Sequence, residues 1–461
     1  MTEFAIKSCF FSLVLSLVCL AAWVQKCFPT DKPNLSVSGF FELRYDGRFL
    51  SDGEEDDQKL HQVLDLHVEE NQWGHFRFTF SGDMTEDLDG TEEENEVDRT
   101  ITIRDTWNSS AQGFLYLLQG EFYDLGALDY LRFGRQYVKH ELGTSHIDGI
   151  DCMLKMDIWD KRFKPFAYAG IPVRLYDPGD YTEAQQFGFG TDFFLDRRTR
   201  ITVEHQFIEE EPDIVGSYMN SEEERYEQSA LALKRRFSLK GYGYASLYLL
   251  DNSPRHVDTL FSFILDNVDL QLDASYFYQF KEIEESPTLV APYTGLVGDI
   301  KPYHDVKLDA TKGIYKDFVW LSAGTRWRFL DSGEDETEFN HSYNNEYLGV
   351  IFEDFPKEGV RISVEADFWQ VMDSDNDDSI FTLGGQVSYE KSKKLTLSAG
   401  SSYALFSYDY FADDNEKTDV YTIYGDVRCF FKERMYCDIR YELDIHDINE
   451  HRVIAAVGFE L

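Results

Sequence analysis

The chain of 461 residues sets 44 Lys and Arg against 85 Asp and Glu, a formal charge of −41 at neutral pH, which excludes nucleic acid as a natural partner. Aromatic residues make up 16% and there are only 11 prolines, so a disordered or low-complexity chain is excluded in favour of a folded, β-rich one. The mean hydropathy of −0.41 does not exclude a membrane protein, because in a β-barrel only alternate residues of each strand meet lipid.

The N-terminus carries Lys7 and then a run from Cys9 to Val24 that is apolar except for Ser12 and Ser16. It reads as a signal peptide over residues 1–22, cleaved near Ala21 or Ala22. No second run of about 18 apolar residues follows, so spanning by helices is excluded. Neither Cys19 nor Cys27 stands in a lipoprotein context, and Cys152, Cys429 and Cys437 of the body form no disulfide framework. There is no CxxCH and no zinc spacing, so no cofactor and no metal is expected.

From Leu35 onward the chain alternates apolar and polar residues in short segments, joined in turn by tight and by longer acidic connections. Leu35, Val37, Gly39, Phe41, Leu43 and Tyr45 form one face of the first strand, with Glu42, Arg44, Asp46 and Arg48 opposite. Leu60, Leu64, Leu66 and Val68 return, and Phe76, Phe78 and Phe80 go out again, with Arg77 on the polar face. Tyr130–Val138 climbs to a loop that holds Ser145 and His146, and Ile147–Asp157 descends. Further segments follow at 163–174, 185–195, 199–209, 227–237, 242–250, 259–265 and 269–280. The longest connection, Lys281–Tyr303, carries Leu289, Val290, Tyr293, Leu296 and Val297, and is expected either to pack on the rim or to fold into the lumen as a lid. Segments at 305–311, 318–329, 347–352, 360–370, 381–390 and 395–406 lead to a hairpin that turns at Lys432–Arg434. This turn sets Cys429 opposite Cys437 and Val427 opposite Ile439 on one face, and Arg428 opposite Asp438 and Asp426 opposite Arg440 on the other.

The last strand, Arg452–Leu461, places Val453, Ala455, Val457, Phe459 and Leu461 on one face and ends the chain in mid-strand, which calls for a waiting partner and so for closure. It resembles the closing strand of bacterial outer-membrane β-barrels, with Leu461 where an aromatic residue is usual. The pair YLRFGRQYV (130–138) and IDGIDCMLKMD (147–157) is similar to general porins, in which a GRQ strand precedes one with a DG pair. The fold read from these patterns is all-β: one transmembrane antiparallel up-and-down barrel over residues 35–461, of about 22 strands within a range of 18–22.

Arg44, Arg48, Arg77, Arg132, Lys234, Arg236, Arg326, Arg328, Arg361, Asp426, Asp438 and Arg440 fall on the face assigned to the lumen, where fixed charges brace the wall or tune ion selectivity. Acidic residues collect in the longer connections, among them Glu92, Glu93, Glu94, Asp373, Asp375 and Asp377, and form an outer rim. Ser145 and His146 lack an acidic partner or nucleophile motif, and His61 and His67 beside Asp65 and Glu69 read as solvated lumen residues. The aspartates at 373–377 are followed by Asp378 where a calcium loop needs Gly. No catalytic residue is assigned. The resemblance implies a porin for ions and small polar solutes, cation-preferring from its charge; a porin-like sheath around a separately encoded multihaem cytochrome is the rival, and a secreted β-sandwich a third. Outer-membrane lipids, the barrel assembly machinery and a homo-oligomeric partner are the expected associations.

Overall fold

The computed structural model describes residues 35–51, 56–70, 75–88, 111–158, 161–173, 184–210, 224–238, 240–282, 300–315, 318–332, 341–372, 379–391, 394–406, 418–432, 434–446 and 449–461. The signal-peptide region 1–22, the core of the candidate lid (283–299) and the rim residues Glu92, Glu93, Glu94, Asp373, Asp375 and Asp377 lie outside them.

The strands in chain order are β1 (Leu35–Leu50), β2 (Asp56–Glu70), β3 (Phe76–Asp87), β4 (Ala111–Leu125), β5 (Leu128–His140), β6 (Gly143–Leu154), β7 (Met156–Ile158) and β8 (Lys161–Pro172). They continue as β9 (Gln185–Phe194), β10 (Thr199–Glu210), β11 (Glu224–Ser238), β12 (Gly241–Leu250), β13 (Ser253–Leu265), β14 (Leu270–Gln279), β15 (Tyr303–Tyr315) and β16 (Val319–Leu330). The last are β17 (Tyr343–Glu353), β18 (Val360–Val371), β19 (Ser379–Lys391), β20 (Leu395–Phe406), β21 (Thr418–Lys432), β22 (Met435–Ile445) and β23 (Glu450–Glu460). β6 and β7 both pair with β8 and are two pieces of one stave, so 23 strands make 22 staves.

Every stave pairs antiparallel with its chain neighbours, and β1 also pairs with β23 from Phe40↔Glu460 to Leu50↔Glu450, which closes the barrel. Leu461, the residue after β23, donates its N–H to the carbonyl of Gly39 at 2.9 Å, so the chain end is held against β1. The connections divide by end. Those after β3 (88–110), β8 (173–184), β10 (211–223), β14 (280–302), β16 (331–342) and β20 (407–417) leave one rim, whereas none at the opposite rim exceeds the six residues of 354–359. One short turn is the cap at Asp196, whose carboxylate accepts the Arg198 N–H at 2.6 Å and the Thr199 hydroxyl at 3.1 Å; these hydrogen bonds hold it below the usual carboxylate range.

Side-chain alternation then sorts the wall. On β23, Val453, Ala455, Val457 and Phe459 face outward, and Val457 is 53% exposed. The β21–β22 register is Cys429↔Cys437, Val427↔Ile439, Arg428↔Asp438 and Asp426↔Arg440, as the alternation predicts. With an apolar outside, a charged inside and no open sheet edge at the closing strand, this is the form in which β-chains cross an outer membrane.

Candidate functional site: a lumen divided by an inward hairpin

β5 keeps register with β4 only from Leu125↔Leu128 up to Leu118↔Arg135. Above that level β5 and β6 leave the wall as a hairpin closed by the two residues Glu141 and Leu142. Its tip reaches strands far along the chain: the Glu141 carboxylate takes Lys234 Nζ and the Tyr244 hydroxyl, each at 2.6 Å, and its carbonyl accepts from the Tyr248 hydroxyl at 2.9 Å. The Leu142 N–H donates to Glu204 Oε2 at 2.9 Å, and Tyr168 donates to Glu204 Oε1 at the same distance. Residues on β8, β10, β11 and β12 thus hold the hairpin inside the barrel. The sequence reading expected a loop around Ser145 and His146; the strands instead continue to His140 and resume at Gly143.

Between hairpin and wall the lumen is filled. Val138, Ile147, Phe166 and Tyr168 form a buried cluster with Met153 packed against it, and the His140 ring lies 3.9 Å from Phe166 at an interplanar angle of 5°. Tyr168 lies flat across Gly188, where a Cβ would stand 2.2 Å from the ring. Asp151 is fully buried; it accepts from the Tyr130 hydroxyl and lies 3.3 Å from His140 Nε2 and 3.6 Å from Arg132 Nη1. Both hydrogen bonds fall on Oδ1, and the buried Oδ2 is met by the charge of Arg132 rather than by a hydrogen bond.

The departure of β5 from β4 leaves a seam that side chains stitch. Arg135 holds Asp148 with Nε and Nη2 at 2.8 and 2.6 Å, and its Nη1 donates to the carbonyl of Leu115 at 3.1 Å. His146 donates from Nε2 to the carbonyl of Tyr116 at 2.7 Å and stacks on Tyr137. Ser145 is turned the other way, accepting from Gln186 at 2.6 Å, so Ser145 and His146 do not form a common site.

The inner face elsewhere carries both signs in close pairs. Arg77 lies 3.1 Å from Glu69 and 3.6 Å from Glu121, and Arg132 lies 3.2 Å from Glu121. Arg326 meets Asp305 at 2.7 Å, Arg361 meets Glu353 at 3.3 Å, and Arg428 Nε donates to Asp438 at 2.6 Å. Arg44 and Arg48 stand at the long range of an ion pair, 4.0 Å from Glu42 and 3.9 Å from Glu450. Arg440 is opposite Asp426 in register, but its guanidinium pairs with Glu442. Arg328 lies over the Tyr303 ring at 3.9 Å, and Arg236 has no ion pair among the described residues. His67 meets Asp65 at 2.7 Å, and His61 accepts or donates at Thr85 at 2.9 Å. Among the described residues, no group of three His, Cys, Asp or Glu is placed to hold a metal ion.

Glu141, Glu204, Tyr168, Tyr244 and Tyr248, which fix the hairpin, were not singled out from sequence. The signal was nonetheless there: on β5 the outward residues Leu131 and Phe133 give way to Arg135, Tyr137 and Lys139, while the inward Val138 and Ile147 become apolar. Such an inversion of the alternation marks a strand whose former outside no longer meets lipid.

No protein-family model matches the sequence, and no curated protein matches it. Among solved structures, the outer membrane protein opdK from Pseudomonas aeruginosa is similar at 8% identity, over 92% of this chain and 99% of its own, with a TM-score of 0.46. A BenF-like porin from Pseudomonas fluorescens Pf-5 is 9% identical over 93% and 99%, with a TM-score of 0.45. The P pilus usher (PapC) translocation pore is 6% identical over 92% and 99%, with a TM-score of 0.46. The barrel rests on the chain's own strand register and not on these likenesses.

Proposed function

We propose that the protein is an outer-membrane porin, passing ions and small polar solutes through the part of its lumen that the β5–β6 hairpin leaves open. The observation that carries this reading is the hairpin itself: a closed barrel with a charged inner face is narrowed by one of its own staves, pinned through Glu141 to Lys234, Tyr244 and Tyr248. The open side is lined from β13 round to β3 by solvated pairs; the side chains of Arg361, Arg428 and Arg440 are each about half exposed, at 54, 51 and 47%. Arg44, Arg48, Arg77, Arg326, Arg328, Arg361, Asp426, Asp438 and Arg440 are the pore-lining set in this reading, while Arg132 and Lys234 brace the packed side. Cations are preferred, because the surplus of carboxylates lies in the connections of one rim rather than on the paired inner wall.

The rival reading, a sheath around a multihaem cytochrome, needs a lumen free to house a second protein. The filled sector around Val138, Ile147 and Phe166 weighs against it. Single-channel recording of the purified protein in a planar bilayer tests the proposal: discrete steps of ohmic conductance from the barrel alone support a porin, and an electrically silent barrel would overturn it.

A further inference from the structure

At mid-height the outward wall of the described residues is apolar with few exceptions, among them the ionisable His205 and Glu346. The outward residues of β10 run Ile201, Val203, His205 and Phe207, and those of β17 run Phe352, Val350, Leu348 and Glu346. His205 is the seventh residue of β10 counted from Thr199, and Glu346 the eighth of β17 counted from Glu353, both from the short-turn rim. At about 2.5 Å of axial rise per residue in a tilted strand, they stand roughly 15 to 18 Å above that rim. The apolar band of such barrels is about 25 Å tall, and here it reaches the turns, where Phe237, Phe263, Phe318 and Phe431 are exposed. Both side chains therefore lie at bilayer depth.

Other outward charges are accounted for: Arg135 and Asp148 neutralise each other, and Arg235 and Lys312 lie close enough to the short-turn rim to reach water along their own stems. Glu346 is different. It is exposed between Thr325 and Phe368 and, among the described residues, has neither ion pair nor hydrogen bond. His205 lies between Phe189 and Ser229, its Nδ1 2.8 Å from the serine hydroxyl, and among the described residues its Nε2 makes no hydrogen bond. A carboxylate facing hydrocarbon is unfavourable unless a donor or cation meets it, and lipid tails supply neither. An imidazole at the same depth supplies both.

We propose that a second copy of this chain docks on the outer wall, with His205 of one barrel paired to Glu346 of its neighbour. The flanking apolar side chains, Phe189, Val203 and Phe207 on one side and Leu348, Val364 and Phe368 on the other, are exposed and form the packing surface. The two positions lie on the ninth and sixteenth of 22 staves, seven apart, so one contact leaves the complementary pair free at each end. The contact is head-to-tail and extends to a ring or a row of barrels.

The test uses the full-length protein in its own membrane. In a background of Cys27→Ala, Cys152→Ala, Cys429→Ala and Cys437→Ala, His205→Cys together with Glu346→Cys should give a ladder of dimers, trimers and higher species with a short bis-maleimide, and either substitution alone should give none. Glu346→Leu in the otherwise native chain should lower the assembled fraction on native electrophoresis about tenfold, and the exchange His205→Glu with Glu346→His should restore it. Heat-modifiable mobility verifies that each variant is folded, and Glu346→Leu removes a charge from the lipid face, so folding is not put at risk. A monomeric wild type, unchanged assembly of Glu346→Leu, a dimer from one single-cysteine variant, or a crosslink to a different polypeptide would each overturn the proposal.

Discussion

Glu141 and Lys234 are 93 positions apart in the chain, yet the carboxylate and the ammonium group meet at 2.6 Å inside the barrel. No neighbouring stave brings them together; they meet because the β5–β6 hairpin crosses the lumen. The glutamate side chain is 4% exposed and the lysine 26%. Glu141→Ala leaves the lysine and the Tyr244 hydroxyl without their shared carboxylate, while the Tyr248 hydroxyl keeps the backbone carbonyl; removing one partner of a buried pair costs about 3–5 kcal/mol, nearer the lower figure here because Lys234 keeps some water. The base of the hairpin remains laddered to β4 and β8, so the loss falls on the tip and not on the barrel. Planar-bilayer recordings should show a larger and noisier conductance for Glu141→Ala than for the wild type, with unchanged heat-modifiable mobility. Identical single-channel traces would place the hairpin outside the conducting path.

The barrel was legible from the sequence because its rule is local: one face apolar, the other charged, period two. The β21–β22 register could be deduced residue by residue, since a slip of one position would have put Arg428 and Asp438 into lipid. The hairpin was not read, because its anchors are non-local. Glu141 looks like any turn carboxylate until Lys234, Tyr244 and Tyr248 are brought to it, and nothing in the spacing of those residues along the chain encodes the crossing. Arg440 shows the same limit at closer range: the register names Asp426 as its partner, but the side chain is long enough to choose Glu442 on its own strand.

At the closing seam a glycine makes room for a tyrosine that crosses it. Tyr436 of β22 lies across Gly458 of β23 and donates to Glu42 of β1 at 2.5 Å, spanning three staves at the seam. A Cβ at position 458 would stand 2.1 Å from the ring, so Gly458→Val must push the tyrosine off the wall and break the contact with Glu42. Val457, one residue away, faces the other side; Val457→Arg sets a cation on the lipid face at a cost of about 2–4 kcal/mol at mid-membrane, falling toward the rim. Both variants should lower the yield of folded barrel on heat-modifiable gels, and Glu460→Ala should not. Equal assembly of Val457→Arg and Glu460→Ala would contradict the facing of the closing strand.

Cys429 and Cys437 are directly opposite each other, and both are free thiols. Cross-strand neighbours seldom offer the dihedral a disulfide needs, so the pair stays reduced even in an oxidising compartment. Alkylation of the unreduced, denatured protein should label both residues in full by mass spectrometry. A crosslinked peptide joining 429 to 437 would be the contrary result, and it would require the two strands to shift.

The proposed preference for cations rests on where the charges are and are not balanced. Subtracting 85 acidic from 44 basic residues leaves −41, yet most inner-wall cations stand beside a carboxylate: Arg77 with Glu69, Arg326 with Asp305, Arg428 with Asp438. Paired charges contribute little net field. The surplus belongs to the long connections, at 86–98, 209–213, 222–224, 331–338, 373–378 and 413–416, which leave the same rim. Carboxylates around one mouth draw cations in before the narrowed lumen is reached, and with a screening length of about 10 Å at 0.1 M the bias weakens as salt rises. The opposing influence is Arg236, together with the guanidinium of Arg328 over the Tyr303 ring. Reversal potentials in a KCl gradient should favour K⁺ over Cl⁻, more strongly in dilute salt, and replacing the acidic residues of 373–378 with Asn and Ser should reduce the ratio. Preference for Cl⁻ that survives neutralisation of all the acidic connections would instead put the inner arginines in control.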